Sequence, residues 1–140
     1  MHALESLHAA LRPHGLILDV RPAPMHPTVQ LVPRDVEGRD LPAVRLGQLD
    51  DSFRIGTLAT ADAALQTLVG AGQLVREQAE TFTFVYHFDS VTSWLTYMSE
   101  HWDTAGVSDT LIARAQVELA VAPGEVQIQR TMHASRLRHI

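Results

Sequence analysis

The segment between Pro13 and Pro22 restricts what this chain can fold into more than any other. It reads Gly15-Leu16-Ile17-Leu18-Asp19-Val20, too short for a stable helix and apolar almost throughout. That is the pattern of a strand covered on both faces in a parallel sheet, so a central strand is expected. Ahead of it, Leu4, Leu7, His8 and Leu11 fall at helical spacing until Pro13 and Gly15 interrupt them, which predicts a helix running straight into the strand. Behind it, Pro22, Pro24 and Pro27 forbid regular structure.

Residues 28–32 and 43–49 then read as two short strands around the polar turn of residues 33–40, an economical β-hairpin. Residues 50–57 are polar and carry no clear period. Thr60 is expected to cap a helix with Ala61, Ala64, Leu65, Leu68 and Val69 on one face, ending at Gly70 or Gly72. From Leu74 the period changes to two, with Phe82, Phe84, Tyr86 and Phe88 on one side and Thr81, Thr83, Val85 and His87 on the other. Asp89 or Ser90 caps a helix through Val91, Trp94, Leu95, Met98 and Trp102, and Ser108 starts another carrying Leu111, Ala115 and Leu119. After Pro123 and Gly124, residues 125–134 alternate again, with Val126, Ile128, Arg130 and Met132 set against Gln127, Gln129, Thr131 and His133.

Residues 7–20, with the turn Arg12-Pro13-His14-Gly15, resemble the passage in class I S-adenosylmethionine-dependent methyltransferases where a helix ends in an Arg-Pro-Gly-Gly-type turn and enters the fifth strand. His14 stands where that pattern has its first glycine. The resemblance implies that residues 60–72, 74–88 and 125–134 supply the next helix, the sixth strand and a seventh strand returning antiparallel between the fifth and sixth. Residues 28–49 and 91–121 are then insertions. The implied fold is a single α/β domain over residues 1–140: a partial methyltransferase-like, Rossmann-like mixed sheet with a C-terminal antiparallel strand, helices packed on it and an inserted hairpin.

In that family a glycine-rich loop and an acidic residue ending the second strand hold the cofactor, and no positions here match them. No cofactor-binding residue is carried over, and S-adenosylmethionine is expected only if a partner chain supplies the missing half. The expected function is therefore a non-catalytic, methyltransferase-derived binding or dimerisation module. The alternatives are a subunit that completes a methyltransferase with a separate cofactor-binding chain, and an unrelated α+β small-ligand domain with a pocket near Tyr86, His87 and Trp94.

A half-sheet of this kind leaves the strand of residues 16–20 without a neighbour, and such an edge is rarely left bare. A homo-oligomer is expected, with Leu16, Ile17, Leu18 and the rest of the strand to Val20 at or near the contact. The alternative cover is the proline-rich segment or the hairpin of residues 28–49, folded back on the edge.

Ligands in open α/β sheets favour the carboxyl ends of parallel strands, which directs attention to Asp19 and Arg21 and to His87 and Asp89. With one strand between them, the two pairs are expected on one edge, about 10 Å apart, around a small molecule. The last strand runs the other way, which assigns His133 to the opposite edge. His87 beside Asp89 suits a general base with nearby charge support, against the plainer reading of a half-exposed strand residue followed by a helix cap. Trp94, Tyr97, Trp102 and the aromatic strand face suit either an apolar pocket or the core.

Composition narrows the function classes. A net charge of −5 with scattered Lys and Arg opposes general nucleic-acid binding. Arg130, Arg136, Arg138 and His139 read as a solvated strand end or tail. Without cysteine there is no disulfide, thiolate metal site or Cys nucleophile, and the eight histidines show no helical i, i+4 zinc spacing, so no metal is expected. No hydrolase elbow or phosphate loop occurs. The sequence shows neither a leader pattern nor a membrane-spanning apolar run, so a cytoplasmic protein that binds no membrane is expected.

Overall fold

A computed structural model describes Ser6 and residues 9–140. It is an α/β fold whose elements run β1 (Leu16–Pro22), β2 (Thr28–Pro33), β3 (Val44–Gln48), α1 (Ser52–Gly70), β4 (Leu74–Phe88), α2 (Val91–His101), α3 (Asp109–Val121) and β5 (Gly124–His139). The helix expected over Leu4, Leu7, His8 and Leu11 falls largely outside the described residues.

The five strands form one antiparallel sheet rather than the mixed sheet expected. β5 is its common partner. β1 pairs antiparallel with it from Leu16 opposite Arg138 to Pro22 opposite Met132, and β2 from Thr28 opposite Gln129 to Pro33 opposite Gly124. β4 also pairs with β5, its direction fixed by the Ile140 N–H donating to the Gln73 carbonyl and by His87 meeting Glu125. β1 and β4 thus run the same way, but each pairs with β5, and among the described residues neither has a parallel neighbour. The hairpin adds only antiparallel pairs, because β2 lies between β3 and β5. It forms as expected and is occupied by β5, so it does not cover β1.

β1 is accordingly no central strand. Among the described residues it pairs with β5 alone, and its side chains alternate between exposed and half-buried. The apolar run looked two-sided because Leu16, Leu18 and Val20 are apolar on a face that nothing described covers.

The described residues group into two compact units. The first contains β1, residues 55–70 of α1, the first part of β4 and the last part of β5. Its buried core is small, with Leu65, Leu74 and Leu137 packed against half-buried Leu11, Ile17, Leu68 and Val69. The second contains β2, β3, α2, α3 and the remainder of β4 and β5. There Val29, Leu31, Val126 and Ile128 of the strands pack against Trp94, Met98, Leu111 and Ala115 of the helices. Tyr86 and Phe88 of β4 and Trp94 and Tyr97 of α2 belong to this core, with Tyr86 edge-on to Trp102 at 5.1 Å and Phe88 5.3 Å from Tyr97.

Local chemistry accounts for the element ends. Ser90 caps α2 by accepting from the Ser93 N–H at 3.0 Å, while the Ser93 hydroxyl accepts from the Ser90 N–H, a reciprocal cap with serine in place of the usual acid. Ser108 caps α3 by accepting from the Leu111 N–H. α1 starts eight residues before the expected Thr60, because Asp50 accepts from the Ser52 N–H and opens the helix there. Thr60 lies inside the helix, its hydroxyl donating to the Gly56 carbonyl. α1 ends at Gly70 and is closed off by Gly72, whose φ of +69° lets its N–H reach the Val69 carbonyl while the Gln73 N–H reaches that of Leu68. His14 has a φ of +64°, so the glycine-like position of the Pro13-Gly15 turn keeps a left-handed backbone although it holds a side chain.

β5 continues past the expected Ala134 because Glu77 of β4 pairs with Arg136 at 2.9 Å and with Arg138. These two arginines hold the Glu77 carboxyl below the usual glutamate range. Gln127 and His87 do the same for Glu125. Both carboxylates are stabilised as anions in the folded state, so they contribute stability above the ordinary carboxylate range, and that contribution is lost as pH falls through their lowered folded values. The urea midpoint is therefore expected to hold near neutrality and to fall below about pH 4. Glu77→Gln and Glu125→Gln together should flatten that fall, and an unchanged acid profile in the double variant would refute the assignment.

Candidate functional site

The first unit carries a cleft of about 470 Å³ lined from four elements. β1 contributes Asp19 and Arg21, and α1 contributes Asp62 and Gln66. β4 adds Arg76, Glu80 and Thr81, and β5 adds His133 and Ser135. Its volume falls in the range of small-molecule sites, and its lining mixes apolar surface with several ionised side chains.

Arg21 is the fixed point of the cleft. Its guanidinium is largely buried, with Nη2 2.6 Å from Asp62 and Nε 3.1 Å from Asp19. The Asp19 contact is an ion pair without hydrogen-bond alignment, since Nε makes no hydrogen bond among the described residues. A guanidinium held between two carboxylates leaves the trio with one net negative charge. Arg76 and Glu80 carry no ion-pair partner among the described residues.

Of the residues marked from sequence, Asp19 and Arg21 come together here. His133 joins them, directly across the ladder from Arg21, with Ser135 across from Asp19. Its assignment to the far edge is corrected because β5 is longer than its alternation suggested, so the middle of that strand, not its end, lies beside the end of β1.

His87 and Asp89 belong to the second unit. They do not share a strand end with Asp19 and Arg21, since β1 ends opposite Met132 whereas β4 runs on until His87 meets Glu125 near the start of β5. His87 Nδ1, itself exposed, lies 2.8 Å from Glu125 Oε1, in a largely buried network that includes Gln127. Asp89 accepts from the Ser93 hydroxyl at 2.9 Å beside the α2 cap. The two residues that looked like a dyad have separate structural partners.

The second unit also buries an ion pair that the sequence reading missed. Asp51 is 1% exposed and Arg130 is 3% exposed, and Arg130 donates to Asp51 Oδ2. The guanidinium carbon lies 4.5 Å from the centroid of the Trp102 ring, a cation–π contact. Asp51 also donates its N–H to His26 Nδ1 at 3.1 Å, and Arg54 Nε lies 3.8 Å from Oδ1. Burial lowers the Arg130 pKa against the pull of Asp51. Arg130 was legible as a charge on an otherwise apolar strand face, which in retrospect was the signal.

Leu16, Leu18 and Val20 form the other feature of the first unit, 49%, 74% and 59% exposed on one face of β1. The His139 N–H donates to the Gly15 carbonyl and the Ala23 N–H to the Thr131 carbonyl, so the odd-numbered residues of this run bond to β5. Strict alternation then turns the backbone groups of Leu16, Leu18 and Val20 to the outer edge.

No described helix is long and apolar enough to cross a membrane. Compared with protein-family models, curated proteins and solved structures, the chain matches none.

Proposed function

We propose that this chain is a non-catalytic binding module that works as a pair of copies joined along β1, with an architecture akin to the back half of a class I methyltransferase. The kinship is supported by β5 lying between β1 and β4, antiparallel to both, and by the glycine-like backbone of His14. These residues offer no glycine-rich cofactor loop, so the proposed role is binding rather than methyl transfer.

The observation that carries the pairing is the exposed apolar face of β1 beside an outer edge that no described strand fills. Natural edges are blunted by charge. Along β1 the two charges, Asp19 and Arg21, are turned into the cleft, so neither blunts its outer face. A second copy fits this edge because an antiparallel ladder centred on Leu18 is self-complementary. Leu18 meets the partner's Leu18, and Leu16 meets the partner's Val20.

Light scattering at tens of micromolar should report a dimer. Leu18→Glu, which sets two carboxylates against each other at the centre of the ladder, should leave a folded monomer with unchanged circular dichroism. A wild-type chain that stays monomeric at that concentration would overturn the proposal.

A further inference from the structure

The cleft beneath α1 holds two opposite charges that the fold does not use. Arg76 and Glu80 lie four residues apart on β4, about 13 Å along the strand, and both line the cleft. Neither has an ion-pair partner among the described residues. Their long side chains bring a cation and an anion within reach of one small molecule, over a floor of Arg21, His133 and Ser135.

The lining discriminates among ligand classes. A polyanion such as a nucleotide would meet the carboxylates of Asp19, Asp62 and Glu80 at once. A bare metal ion would have to break the Arg21 clamp to free either aspartate. A sugar would find no Phe, Tyr or Trp ring on which to stack, since none lines the cleft. An apolar molecule would leave the ionised walls unpaired. A small molecule with one carboxylate and one ammonium matches these walls: a planar fork for its carboxylate at Arg76 and a counter-charge for its ammonium at Glu80.

We propose that this cleft binds a small zwitterion of the amino-acid or short-peptide class, with Arg76 taking the carboxylate and Glu80 the ammonium. The proposal does not need self-association, because every residue that lines the cleft belongs to one copy.

The test is a titration of the full chain followed by amide shifts in NMR, using the common free amino acids and dialanine as probes. At least one probe should saturate in the millimolar range or tighter and shift the amides of residues 19–21, 76–81 and 133–135. N-acetylation should weaken that probe at least about tenfold, and so should amidation of its carboxylate. Arg76→Gln should abolish the advantage of the free carboxylate, and Glu80→Gln that of the free ammonium. Both residues are exposed and unpartnered, so neither variant is expected to disturb folding. The proposal is overturned if no probe shifts these amides, if the blocked probes bind as well as the free one, or if the shifts fall outside the cleft.

Discussion

Asp51→Asn is expected to destabilise the second unit by about 3–5 kcal/mol, the usual cost of leaving a buried charge without its counter-ion. The variant keeps the shape of the side chain and removes only its charge. Arg130, 3% exposed and against Trp102, would then hold a guanidinium in the core with no anion bonded to it. Arg54 cannot compensate, since it is itself a cation. Removing both charges should behave differently: Asp51→Leu with Arg130→Met replaces the pair by apolar volume and is expected to fall within about 1 kcal/mol of the parent, or above it. Urea unfolding of Asp51→Leu, Arg130→Met and the double gives the coupling directly. A loss below about 1 kcal/mol in Asp51→Asn would mean that the pair is hydrated and contributes like a surface contact.

That ion pair also marks the limit of what the chain discloses in one dimension. The strands and capped helices were legible because their causes are local: alternation from Leu74, a serine ahead of each of α2 and α3, prolines after β1. The early start of α1 was also encoded locally, in Asp50 and Ser52, but two neighbouring acids hid the cap. The end of β5 was not local, because residues 135–139 stay in the sheet through β1 and through Glu77, far away in the chain. The candidate site shows the same division. Asp19 and Arg21 could be marked from their place at the end of a strand. Asp62, one acid in an alanine-rich stretch of α1, became part of the cleft only through its 2.6 Å contact with Arg21, and His133 only through the register of β5. His87 and Asp89 were marked by the same rule, and in the second unit each has a partner of its own, Glu125 and Ser93.

Leu137→Ala should cost about 2–5 kcal/mol, toward the upper end because so little surrounds it. Leu137 is fully buried opposite Ile17, and with Leu65 and Leu74 it makes up the buried core of the first unit. Deleting its side chain removes one of three residues, and the half-buried Leu68 and Val69 have little further packing with which to close the gap. Hydrogen exchange should then show amides of β1 and of the later turns of α1 losing protection by a hundredfold or more, a fold-change of about 2.7 kcal/mol. Amides around Trp94 and Ile128, in the separate core of the second unit, should lose much less. An equal loss in both would show that the chain opens as one cooperative body. The same variant separates two origins of self-association. Leu18→Glu attacks the contact and should abolish pairing while leaving the unfolding of the monomer almost unchanged. Leu137→Ala leaves the exposed face of β1 intact in composition but loosens the strand that presents it, so pairing should weaken in proportion to the protection lost. If Leu137→Ala frays β1 and pairing persists at full strength, the contact between copies does not run through this strand.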